Sequence, residues 1–188
     1  MKRMNIPVGV SDFKEIRSNG YYYVDKTILI RELLETTATK VTLITRPRRF
    51  GKTMGMSMLA HFFDIREDNK ELFDGLAVSE DSALCGKWMN KWPVVFLTLK
   101  DIDGLTFEDA YGRLAIRIAN LYKEHAYLLE WEEMDADDRK IFMNLKAGTA
   151  DKNQISQSLY TLMRLMREYY QKPVILLLDE YDVPIAKA

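Results

Sequence analysis

Three short runs of the chain are apolar at nearly every position: Val41-Thr42-Leu43-Ile44-Thr45, Pro93-Val94-Val95-Phe96-Leu97-Thr98-Leu99 and Pro173-Val174-Ile175-Leu176-Leu177-Leu178. Continuous rather than alternating hydrophobicity predicts strands covered on both faces, as in a parallel sheet. The proline heading the second and third runs is compatible with this, because it is tolerated as a strand's first residue. Between the runs, apolar residues recur at helical spacing. From Thr53 to Phe63 they are Met54, Met58, Leu59 and Phe62. From Phe107 to Leu129 they are Phe107, Tyr111, Leu114, Ile118 and Leu121, and from Ile155 to Tyr170 they are Ile155, Leu159, Leu162, Met166 and Tyr169. Such stripes predict core-facing helices. Strands alternating with helices give an α/β fold with a doubly wound parallel sheet.

The stretch 130–154 breaks the pattern. It is polar, acidic and interrupted by Gly148, and reads as a solvated loop with a short helix. At 188 residues the chain fits one domain, with a helical insertion over about 105–170. Composition narrows the function classes only a little. Hydrophobic residues make up 47%, enough for a large core, and 27 Lys plus Arg nearly balance 28 Asp plus Glu. Net charge therefore gives no argument for a nucleic-acid or membrane partner. The single cysteine, Cys85, has no partner for an internal disulfide and reads as a half-buried thiol. No run reaches the roughly 18 apolar residues of a membrane helix, and the N-terminus lacks a signal-peptide core. The expectation is a soluble cytoplasmic protein.

Candidate chemistry sits where strands end. Gly51-Lys52-Thr53 supplies the last three places of the phosphate-loop pattern G-x-x-x-x-G-K-[ST], although Arg46 stands in the first-glycine place. Its context is the one the mechanism requires: an apolar strand before it and an amphipathic helix after it. A helix start offers unpaired N–H groups and the positive end of the helix dipole. Gly51 lets the backbone approach a phosphate, Lys52 reaches the β- and γ-phosphates, and the Thr53 hydroxyl ligates Mg²⁺. The loop residues Arg46, Pro47, Arg48, Arg49, Phe50, Gly51, Lys52, Thr53 and Met54 are thus the candidate nucleotide contacts. For the three arginines two readings stay open: phosphate contact or a finger to a neighbouring subunit, against local pairing or solvation. Pro47 stiffens the loop, and Arg46 disfavours the positive φ that glycine allows.

The run 174–182, VILLLDEYD, has the form of a Walker B segment, a buried strand ending in an acidic pair. Asp179 is the candidate second Mg²⁺ residue, and Glu180 the candidate catalytic group that orients and deprotonates the attacking water, with Lys52 neutralising charge. His61 and His125 read as packing or surface residues. Asp25 or Thr27 reads as the cap of a helix from Ile28 to Leu34.

With these pieces placed, the chain resembles the AAA-ATPase-like proteins common in gut and anaerobic bacteria. The matching stretches are IPVGVSDF (6–13), YYYVDKT (21–27), VTLITRPRRFGKT (41–53), HFFD (61–64) and VILLLDEYD (174–182). The resemblance implies that arginine is the usual residue at position 46, and that YVDKT packs near the nucleotide on the adenine side. Gly55 departs from the family, where a larger apolar residue is commoner. The resemblance further implies a P-loop NTPase-type sheet with a strand between the phosphate-loop strand and the acidic strand, coming later in sequence. On that reading the sheet is incomplete at the C-terminus and residues 1–188 are the N-terminal part of the ATPase domain. The resemblance also implies that full-length relatives continue through the rest of the ATPase core, and often into a PD-(D/E)XK nuclease-like domain.

The expected function is ATP binding with Mg²⁺-dependent hydrolysis, with hydrolysis impaired in this chain alone. The alternatives are a nucleotide-dependent binding switch and a DNA-processing ATPase that reaches nucleic acid through the nuclease-like domain. Homo-oligomers are compatible with each, and no membrane partner is expected.

Overall fold

The computed structural model describes residues 5–35, 40–45 and 50–182. The chain divides into two compact units, Met1–Phe96 and Leu97–Ala188.

In the first unit, helix α1 (Phe13–Ser18) starts at Asp12, whose carboxylate accepts from the Glu15 N–H at 2.7 Å. Caps of this kind are worth about 1 kcal/mol. Helix α2 covers Ile28–Glu35, and α3 covers Lys52–Phe63. The chain then makes 3-10 turns at Lys70–Phe73 and Ala77–Glu80 before α4, Ser82–Trp88, which Asp81 caps through the Leu84 N–H. Phe13 of α1 and Phe62 of α3 both pack against Phe73, with ring centroids 4.9 and 5.3 Å apart. Met58, Leu59, Ile16 and Ile30 complete this buried cluster. The predicted stripe on α3 is therefore the core face, with the residues after Met54 most deeply buried.

Strand β1 (Val94–Thr98) straddles the division, and β2 (Ile175–Asp179) lies in the second unit. They pair as a two-stranded parallel sheet, so two of the three predicted strands are present. The third is not. Val41–Thr45 forms no strand, and Val41 and Leu43 are 84% and 62% exposed. An apolar β-branched run becomes a strand only when a neighbour takes its N–H and C=O groups, and no described residue pairs with this one.

Three helices make up most of the second unit: α5 (Phe107–Glu124), α6 (Ala136–Ala147) and α7 (Lys152–Tyr170). All three pack on one another around Ile118, Leu121, Tyr122, Phe142, Leu145, Leu162, Leu165 and Met166. Tyr122 joins them, stacking edge-on against Phe142 at 4.7 Å and donating its hydroxyl to the Ser158 carbonyl at 2.8 Å.

Three expectations are corrected here. The short helix expected within a solvated loop at 130–154 is a longer one, α6, of 12 residues, capped by Asp135 and closed by Gly148 in the left-handed region at φ 75°. Its acids lie in the first turn, where they favour the helix dipole, while Phe142 and Leu145 supply the buried face. The long helix expected to run to Leu129 stops at Glu124, where the buried His125 ring makes a 2.9 Å hydrogen bond with the Leu121 carbonyl and a 3-10 turn, Ala126–Glu130, follows. Phe107 is 69% exposed, outside the core; it stacks on Tyr111 with the Lys152 ammonium over both rings. Tyr169 is likewise exposed, against Tyr127, Trp131 and Tyr170. No helix among the described residues is long and apolar enough to cross a membrane.

Candidate functional site

In the first unit, the candidate element is the entry to α3. Gly51 adopts φ 77°, ψ 33°, a left-handed conformation that an L-residue takes at a cost of about 1 kcal/mol or more. This turn puts Lys52 and Thr53 on the first two places of the helix. No side chain caps that end, and its first turn holds no acid. The Gly55 N–H closes onto the Gly51 carbonyl at 2.9 Å, so the N–H groups of Lys52, Thr53 and Met54 precede the first helical bond. They form the kind of donor array that binds an anion. Lys52, Thr53 and Met54 are half-buried and Phe50 is exposed. Arg46, Pro47, Arg48 and Arg49 lie outside the described residues.

A strap from an earlier part of the chain reaches this loop. The Lys26 ammonium donates to the Phe50 carbonyl at 3.0 Å. Its neighbours are tied down in turn. Asp25 accepts from the Thr27 N–H and hydroxyl at 2.8 and 2.7 Å and from the Ala77 N–H at 2.8 Å. Partial burial pushes the Asp25 carboxyl up, but those hydrogen bonds outweigh it and hold it below the usual carboxylate range. Thr27, fully buried, accepts from the Val78 N–H at 3.1 Å. The expected cap of α2 is thus a wider device: Asp25 and Thr27 stitch the helix entrance to residues 77 and 78. Burial pushes the Tyr23 phenol up to about 12, and its hydroxyl donates to the Met58 sulfur under α3.

Farther along α3 lies a polar cluster that sequence reasoning missed. Asp12 accepts from the Ser57 hydroxyl at 3.0 Å and lies 3.4 Å from His61 Nε2, while Ser57 Oγ takes the Phe13 N–H at 2.9 Å. Ser57 and His61 are one turn apart on the helix. Partial burial raises the Asp12 carboxyl, and the bonds from Glu15, Ser57 and His61 bring it below its ordinary value. His61 also lies 3.9 Å from Glu67, which pairs with Lys14 at 2.8 Å. GVSDF and HFFD, quoted separately in the sequence, meet here and fix α1 against the helix that begins at the phosphate loop.

Gly55 occupies the first turn of α3 with nothing within 4 Å of where a methyl group would sit. Glycine in a helix interior costs about 0.5–1 kcal/mol relative to alanine. Gly55→Ala is therefore expected to raise the Tm by roughly 1–4 °C, measured by thermal melting. A lowered Tm would mean that this turn needs glycine's freedom.

In the second unit, the candidate element is the carboxyl end of β2. Asp179 is 4% exposed, and its backbone carbonyl accepts from the Leu99 N–H at 2.9 Å, which locks it to the end of β1. Its Oδ2 is buried without a hydrogen-bond partner among the described residues. A buried carboxylate oxygen with nothing to accept from is costly unless a cation or ligand completes it. Glu180 follows, half-buried, at φ 56°. A non-glycine residue in that region costs of order 1–3 kcal/mol, a strain that concentrates at functional positions. The described residues hold no group of three or more His, Cys, Asp or Glu side chains able to grip a metal unaided. Lys52 and Thr53 belong to the first unit, Asp179 and Glu180 to the second.

Cys85 is half-buried as expected; its thiol contacts the Val78 carbonyl at 3.2 Å, and burial pushes its pKa up. That is the environment of an unreactive thiol.

Comparison with known proteins gives the chain a family. A family model described as AAA-ATPase_like, Predicted AAA-ATPase, matches residues 7–188. An Azotobacter chroococcum mcd 1 protein, described as an uncharacterized protein in the vnfD 5′ region, is 30% identical over 186 residues. That match covers 98% of this chain and 30% of the relative, so the chain spans less than a third of that protein's length. No solved structure matches.

Proposed function

The chain belongs to the predicted AAA-ATPase family, and on that premise we propose that it binds ATP with Mg²⁺ and forms the nucleotide-binding part of a P-loop ATPase. What supports the reading most is the unpartnered, buried Oδ2 of Asp179 at the carboxyl end of a parallel strand. Ligands of open α/β sheets bind outside those ends. The left-handed turn at Gly51 and the uncapped start of α3 supply the complementary feature, N–H donors suited to phosphate.

In this proposal the Thr53 hydroxyl and the Asp179 carboxylate, each taken on its own motif, would serve Mg²⁺, which would supply charge neutralisation at the β- and γ-phosphates. Lys52 carries its positive charge to the same phosphates. Glu180 orients the attacking water and takes its proton, and positioning with electrostatics provides most of the acceleration. The exposed, unpaired run 41–45 leads to a further element of the proposal: turnover by these 188 residues alone is slow, because the segment feeding the phosphate loop has no strand beside it among the described residues.

Metal removal tests the reading. ATP affinity in the presence of Mg²⁺ is expected to fall at least about tenfold when EDTA is added, since the metal would supply charge neutralisation at the phosphates. ATP binding that is indifferent to EDTA would remove Asp179 from the site.

A further inference from the structure

Lys26 is a charged side chain outside the G-K-T motif that touches the phosphate loop. Its ammonium donates to the Phe50 carbonyl at 3.0 Å, and a methyl group added at Gly51 would stand 3.1 Å from the same nitrogen. The contact joins residues 24 apart in sequence, and the backbone on each side of Lys26 is anchored through Asp25 to Ala77 and through Thr27 to Val78. Lys26 is exposed and forms no ion pair among the described residues, so this carbonyl is its described polar partner.

We propose that Lys26 is a positioning residue for the phosphate loop, and that the ligand part it serves is the polyphosphate chain rather than the base. The inference rests on the nucleotide reading of the loop. A carbonyl oxygen facing a phosphate repels it, while an N–H attracts it. By drawing the Phe50 carbonyl to its ammonium, Lys26 holds the peptide before Gly51 in one orientation. It thereby keeps Gly51 in the left-handed turn that sets the N–H groups of Lys52 and Thr53 at the head of α3. An ammonium carries three donors, so Lys26 also leaves positive charge beside the loop after making this bond. The resemblance implies an adenine-side location for the VDKT strap; the contact made here is with the backbone of the phosphate loop itself.

The test compares wild type with Lys26→Met and Lys26→Arg, titrated with ATP·Mg²⁺ and with tripolyphosphate·Mg²⁺, which lacks base and ribose. Lys26→Met is expected to weaken both ligands by a common factor of about tenfold, the size of one charge-assisted hydrogen bond. Lys26→Arg, which retains a donor and the charge, is expected to bring both back to within about threefold of wild type. Loss of ATP affinity with tripolyphosphate unchanged would overturn the proposal in favour of a base-side role, and so would no change in either. A second measurement needs no ligand: amide hydrogen exchange at Gly51–Thr53 is expected to quicken in Lys26→Met, and unchanged exchange overturns the clamp. The underlying reading fails separately, if Lys52→Met leaves ATP binding intact, and in that case the exchange result still decides whether Lys26 holds the loop.

Discussion

Glu180→Gln is expected to leave ATP binding within about threefold of wild type while phosphate release falls by about 10²–10⁴, the usual contribution of a positioned general base. The substitution preserves shape and hydrogen-bonding length but removes the ability to take a proton from water. The backbone adds to the argument. Glu180 sits at φ 56°, where glycine would relieve a strain of order 1–3 kcal/mol, yet a glutamate stands there. It follows directly on Asp179, whose buried carboxylate oxygen needs a partner. Asn90, Asp101 and Gln171 share this backbone region, so the role proposed for Glu180 rests on its place beside Asp179 and is decided by the substitution. Phosphate release is the measurement, with ATP binding recorded on the same samples. Unchanged turnover would withdraw the role from Glu180, whereas loss of binding would assign it to the ligand's ground state.

The second large effect is expected at Lys52. Lys52→Met keeps the apolar stem and its packing but deletes the ammonium that reaches the β- and γ-phosphates. A charge-assisted contact is worth about 1.5–3 kcal/mol, so ATP affinity is expected to fall roughly ten- to hundredfold. The fold should be unaffected, because Lys52 is half-buried at the first place of α3 and forms no ion pair among the described residues. A parallel loss of thermal stability would show that Lys52 acts through packing instead.

Much of this was readable from residue order, for identifiable reasons. Helix α3 and the ends of β1 and β2 carry dense apolar signals that agree with their surroundings, and the G-K-T triplet marks the helix entrance through chemistry that only a few residue types supply. Helix α6 was hidden because Phe142 and Leu145 are all it buries from a segment dominated by acids and polar residues. The short helix expected there extends over 12 capped residues with its acids at the favourable end. The run 41–45 misled in the opposite sense: hydrophobicity signals that a strand is possible, but pairing needs a neighbour that the run cannot encode.

Phe107 misled similarly, since its place on the stripe predicts burial while its position in the first turn leaves it beside solvent and Lys152. The contacts that position the site were the least legible. Asp12 meets Ser57 and His61 across 45 or more residues, and Lys26 meets Phe50 across 24. No periodicity reports such pairs. The stretches GVSDF, YVDKT and HFFD contain Asp12, Lys26 and His61 without saying what they touch.

The central claim is that the entry to α3 is a nucleotide phosphate site. Isothermal titration of ATP·Mg²⁺ into wild type and Lys52→Met, run side by side on protein of equal thermal stability, tests it most directly. One ATP per wild-type chain, with affinity reduced roughly ten- to hundredfold in the variant, is the predicted result. Equal affinity in the two proteins, or no binding heat in wild type, would contradict it.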